Sequence, residues 1–161
     1  MIITREQCRA ARALLGLTQL EVAESAHVAT TTIADFEQGA RVPTYNNLQA
    51  IRAALEAAGV VFIDANGGGP GVQLRVAPKT DSVEEPAISP EQCRAARAVL
   101  DLTQTDLAKA AGLGRSTVAD YERVDRMPSP ASLSALRDAL EAAGVAFIDP
   151  NGGGPGLRLR K

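Results

Sequence analysis

Apolar positions recur at helical spacing in four short blocks, then switch to strand-like runs on either side of a glycine-rich bend. Thr4 with Gln7 three residues on has the form of a capping box, and Cys8, Ala11, Leu14 and Leu15 line one face after it. This predicts a helix over residues 5–15. Thr18 with Glu21 repeats the signature and opens a short helix to about Ala26. The turn His27-Val28-Ala29 leads to a third helix over 30–38. Pro43-Thr44 then caps a fourth, with the stripe Leu48, Ile51 and Leu55 and with Gly59 just past its end. Val60-Val61-Phe62-Ile63 and Val72-Gln73-Leu74-Arg75 flank a Gly/Pro/Asn cluster and predict a β-hairpin. Such a ribbon is marginal alone, so it should lie on the helices or pair with another copy.

The whole pattern is written twice. Ile3 to Arg75 aligns without a gap to Ile88 to Arg160, and about 42 of 73 positions are identical. The second copy has Ser89, Pro90 and Gln92 at the first cap, Thr103 and Asp106 at the second, Gly112-Leu113-Gly114 at the turn, and Pro128-Ser129-Pro130 before the fourth helix. The fold class expected is mainly α, with two tandem domains of four short helices plus a C-terminal hairpin, over 1–76 and 88–161. Residues 77–87 hold Pro78, Pro86, Asp81, Glu84 and Glu85 against Lys79 alone, and read as an exposed acidic linker. As a flexible coil it spans about 20 Å, and about 40 Å when stretched.

Composition narrows the chemistry. Two cysteines, one histidine and no tryptophan exclude a disulfide scaffold or a Cys/His zinc site and leave little for histidine catalysis. The 3% aromatic content disfavours base-stacking binders of single strands. No nucleophile–base pair or cofactor loop stands out, so neither an enzyme nor a bound cofactor or metal is expected. Gly67-Gly68-Gly69-Pro70-Gly71 has no following Lys-Ser/Thr and reads as a hairpin bend rather than a phosphate loop. Cys8 and Cys93 read as core, and Arg9, Arg12, Arg94 and Arg97 as a solvated face of the first helix. Neither an export signal nor a membrane-length apolar run is visible, so a cytoplasmic site is expected.

Certain residues around the second and third helices carry a resemblance. In the first copy they are Leu17-Thr18-Gln19, Val22-Ala23, Ala26, Val28, Thr32-Ile33, Phe36-Glu37 and Gly39. In the second they are Leu102-Thr103-Gln104, Leu107-Ala108, Ala111-Gly112-Leu113, Ser116-Thr117-Val118 and Tyr121-Glu122. These resemble the XRE family, the lambda-repressor-like helix-turn-helix domains. Ala23 and Ala108 are small where two helices cross, and the turn position wants φ > 0, which Gly112 supplies freely and His27 tolerates.

The resemblance implies that the third helix enters the major groove of DNA. Thr30, Thr31, Thr32 and Asp35 would sit at the base-reading face in copy one, and Arg115, Ser116, Thr117 and Asp120 in copy two. Gln19, Gln104, Gln38 and Arg123 would meet phosphates, with Arg41 and Arg126 near the backbone or minor groove. Either aspartate could instead pair with a local arginine. Arg115 is the foremost candidate for reading guanine. Copy one carries net charge −1 and copy two +1, around a linker of −2. Copy two is therefore expected to bind DNA more tightly. The implied function is a sequence-specific regulator of transcription, a repressor by resemblance, whose partner is double-stranded DNA. The alternative is an antitoxin-like adaptor whose first domain holds a protein and whose second holds DNA. Hairpins pairing between chains would make a homodimer, and no membrane partner is expected.

Overall fold

The computed structural model describes residues 2–65, 68–76, 87–149 and 153–160. The first copy runs α1 (Arg5–Leu15), α2 (Gln19–Ala26), α3 (Thr30–Gln38), α4 (Tyr45–Ala58), β1 (Val60–Ile63) and β2 (Gly71–Leu74). The second runs α5 (Pro90–Val99), α6 (Gln104–Ala111), α7 (Arg115–Glu122), α8 (Pro130–Ala143), β3 (Val145–Ile148) and β4 (Gly156–Leu159). The expected linker lies outside the described residues except for Ala87. Among the described residues no helix is long and apolar enough to cross a membrane.

The capping boxes form as the sequence indicates, on Thr4, Thr18, Ser89 and Thr103. Gln7 does more than cap. Its amide oxygen accepts from the Thr4 N–H, while its nitrogen donates to the Ile63 and Gly71 carbonyls of both hairpin strands. Gln92 makes the equivalent bonds to Ile148 and Gly156. One buried amide per copy thus uses its acceptor and both its donors to fasten the hairpin to the first helix.

The hairpins do not face solvent on both edges. β2 pairs antiparallel with β4, giving one sheet of order β1-β2-β4-β3. Its register is Gly71↔Arg158, Val72↔Leu157 and Gln73↔Gly156. With the repeat offset applied, Val72 sits opposite its own counterpart, and Gly71 opposite the counterpart of Gln73. Equivalent residues are therefore exchanged across the seam, as in an isologous interface with a two-fold axis. The hairpin-to-hairpin pairing anticipated between chains occurs here within one.

Helices α1 and α5 pack against each other beside this sheet. Their four arginines do not form the expected solvated face. Arg9 pairs with Asp101 at 3.2 Å and donates to the Val99 carbonyl of the other copy. Arg94 donates across to the Ala13 carbonyl and, within its own copy, to that of Glu122. Arg12 and Arg97 turn inward. Ala13, whose carbonyl receives Arg94, lies on the side of α1 turned to α5, and the neighbouring Ala10, like its counterpart Ala95, is fully buried. Small residues there allow the two helices to approach closely. The copies thus meet along a packed seam.

Cys8 and Cys93 are 0% exposed. Burial, reinforced by the nearby carboxylates of Glu37 and Glu122, pushes both thiols up to about 12. Neither should react with a thiol reagent at pH 8 until the protein unfolds, when both should titrate. The raised value also favours the folded state while the thiol is protonated. That contribution is complete below the unfolded value near 9 and is lost as pH rises towards 12. Urea midpoints should accordingly fall across that interval, and more steeply than in a Cys8→Ala/Cys93→Ala variant.

Candidate nucleic-acid interface

The site in each copy is built on a helix, a tight turn and a second helix. His27 ends α2 in the left-handed region at φ 53°, and its counterpart Gly112 adopts φ 67°. The chain then folds back, with the Val28 N–H on the Ala23 carbonyl at 3.0 Å and Leu113 on Ala108 at 2.8 Å. Ala23 and Ala108 are almost fully buried, as are Val22 and Ile33 with their counterparts Leu107 and Val118. Ala29 and Gly114 precede α3 and α7 and offer no side-chain cap. The first turns of both helices therefore present amide groups and the exposed side chains of Thr30, Thr31, Arg115 and Ser116.

Behind this surface each copy holds a buried ionic lock. The Arg12 guanidinium donates twice to Glu37, at 2.8 and 3.0 Å, and once to the Leu17 carbonyl at 3.1 Å. Glu37, 4% exposed, also accepts from the Gln19 amide nitrogen at 2.8 Å. Arg97, Glu122 and Gln104 repeat the arrangement at 2.8, 3.1 and 2.9 Å. The lock ties α1, the start of α2 and the end of α3 into one unit. It leaves the second amide proton of Gln19 and of Gln104 free of that bond.

A family model of helix-turn-helix domains matches the chain twice, over residues 9–57 and 94–142. The chain belongs to the XRE family of helix-turn-helix proteins. This is a family of DNA-binding regulators of transcription rather than of enzymes. Comparison with curated proteins finds no match.

Within this XRE-family chain the candidate residues are not all placed alike. Ser116, Thr117, Asp120 and Arg126 line one groove together with Met127 and with Ser129 and Ser132 at the start of α8. Gln104 and Arg115 share a second groove with Thr103 and Thr105. Arg41, Arg115 and Arg126 are exposed and have no ion pair among the described residues. Arg123 differs, because it bridges Asp120 at 2.7 Å and Asp125 at 2.8 Å. Asp120 thus takes the local arginine partner that the sequence left open. Asp35 has no such ion pair among the described residues, since Gln38 stands where Arg123 does, and both are solvent-accessible.

Sequence reasoning missed several residues on this side. Val42 is 77% exposed and its counterpart Met127 61%, each immediately following Arg41 or Arg126. Tyr45 opens α4 with 62% exposure. Their signal was an apolar side chain placed in a loop, outside any helical stripe. Val124 is a further exception. It takes φ 63° just past α7, a strained setting for a β-branched residue, whereas Gly39 fills the same position in copy one at φ 75°.

Proposed function

We propose that the protein represses transcription by holding a specific duplex sequence with both copies, working in the cytoplasm. The observation that carries this is the pair of exposed, rigidly backed helix starts bearing Thr30 and Thr31 in one copy and Arg115 and Ser116 in the other. In this reading Thr30, Thr31, Thr32, Arg115, Ser116 and Thr117 meet base edges, with Asp35 and Asp120 behind them on the same face. Gln19 and Gln104 spend their free amide proton on phosphate, and Gln38 and Arg123 meet phosphate at the far end of each helix. Arg41 and Arg126 lie along the backbone, where Val42 and Met127 add apolar contact to the sugars. A body of this kind seated on a promoter excludes polymerase by occupancy.

The test is selection from random duplex DNA. Arg115→Ala should weaken binding to the selected site by roughly 5- to 150-fold, matching about 1–3 kcal/mol for a bidentate guanine contact, and relax preference at one base pair. Thr30→Ala/Thr31→Ala should relax a different element. The acidic balance of copy one, with no cation in α3, favours a second reading in which that copy faces a protein. Indifference of the selected site to the Thr30/Thr31 changes would establish that reading instead. A DNA-independent chain, with no sequence enriched, would end the proposal.

A further inference from the structure

We infer that this single chain is its own dimer, and that its operator is an inverted pair of unequal half-sites read in one orientation only. The inference rests on the DNA-reading function proposed above. It follows from the register of the seam. Copies related by translation along a duplex would join different surfaces, pairing residue with non-equivalent residue in an open series. Here Val72 faces Leu157, its own counterpart, and Gly71 and Gln73 exchange partners with Arg158 and Gly156. The side-chain bonds obey the same exchange. Gln73 donates to the Gly154 carbonyl at 2.9 Å, and Arg158, its counterpart, donates to that of Gly69 at 3.4 Å. The Leu74 N–H meets the Pro155 carbonyl and the Leu159 N–H that of Pro70. The axis therefore relates α3 to α7 by rotation, and a two-fold pair of reading helices matches the dyad of a duplex with inverted half-sites.

The symmetry stops at the reading face. Thr30-Thr31 stands against Arg115-Ser116 and Gln38 against Arg123, while Thr32 matches Thr117 and Asp35 matches Asp120. A homodimer cannot distinguish the two ends of its operator. This chain can, because fusing two copies has freed one head to differ from the other. The bound protein then points in a defined direction along the DNA.

The experiment is selection of random duplexes by the full chain, followed by binding to rebuilt sites. The expected product is two related but unequal elements in inverted order at one fixed spacing. Reversing one element to make a direct repeat should cost at least about 100-fold in affinity, the lower end of what a second tethered contact supplies. Thr30→Arg/Thr31→Ser, which gives both heads the same leading residues, should shift selection to a symmetric palindrome. Equal affinity for direct and inverted repeats, or full affinity for a lone element, would overturn the inverted geometry while leaving DNA reading intact. A selected site that stays unequal in the Thr30→Arg/Thr31→Ser variant would overturn the origin assigned to the asymmetry. No enrichment at all would remove the DNA-reading function itself.

Discussion

Glu37→Ala should destabilise the protein by about 3–5 kcal/mol, and Glu122→Ala by a similar amount. Either change leaves a guanidinium that had two charge-assisted bonds facing an empty space, and strands the Gln19 or Gln104 amide as well. Breaking a buried pair from one side costs far more than removing both partners. Arg12→Met/Glu37→Met should therefore recover most of the loss. For a protein of this length the single change corresponds to a fall of about 10 °C in Tm. Urea denaturation of the three proteins checks the order. A loss below about 1 kcal/mol would mean that Arg12, which is 24% exposed, simply turns to water. On the proposed DNA-binding reading, the functional consequence runs through Gln19. Without its carboxylate partner the amide is no longer held at the start of α2, so DNA affinity should fall even where the fold survives.

Local features of the fold were legible in the sequence because their causes are local. A hydroxyl three residues ahead of Gln7, Glu21, Gln92 or Asp106 forms its capping box whatever the rest of the chain does. The positive φ at His27 and Gly112 follows from the turn alone. The buried lock was not legible, since Arg12 and Glu37 look like surface charges until two helices bring them together. Ala10 and Ala95 hid the seam in another way. Alanine adds little to a hydropathy stripe, and both lie at the margin of the face marked by Cys8, Ala11 and Leu14. The repeat announced two copies but not their relation, which resides in pairings such as Val72↔Leu157 between residues far apart in the chain. At the starts of α3 and α7 the candidate residues Thr30, Thr31, Arg115 and Ser116 are exposed, as their order in the sequence indicates. The sequence could not show that Arg123 is held by Asp120 and Asp125, whereas Arg115 has no ion pair among the described residues.

Gly71→Val/Gly156→Val should open the seam and convert a rigid pair of heads into two tethered ones. The glycines read as bend formers, yet what they do is admit the other copy. A Cβ on Gly71 would lie 2.6 Å from Arg158 Cγ and 2.7 Å from the Leu157 carbonyl oxygen. On Gly156 it would lie 2.6 Å from the Val72 oxygen and 2.8 Å from Gln73 Cα. Backbone atoms on the opposing strand cannot swing aside, so the strands must part. Val72 and Leu157, 0% and 1% exposed, then meet water. At about 25 cal/mol per Å² their exposure adds a few kcal/mol to the steric cost. Small-angle scattering should show a larger radius of gyration, and calorimetry should resolve two transitions instead of the single one expected of the parent chain. DNA binding supplies the more pointed readout. Heads joined only through the chain still gain from linkage, but without the seam nothing sets a preference between inverted and direct half-sites. The variant should therefore bind both arrangements alike, with each head still recognising its own element. If it keeps a strict preference for one arrangement, the packing of α1 on α5 fixes the heads without the sheet, and Ala10→Glu/Ala95→Glu becomes the change that must release them.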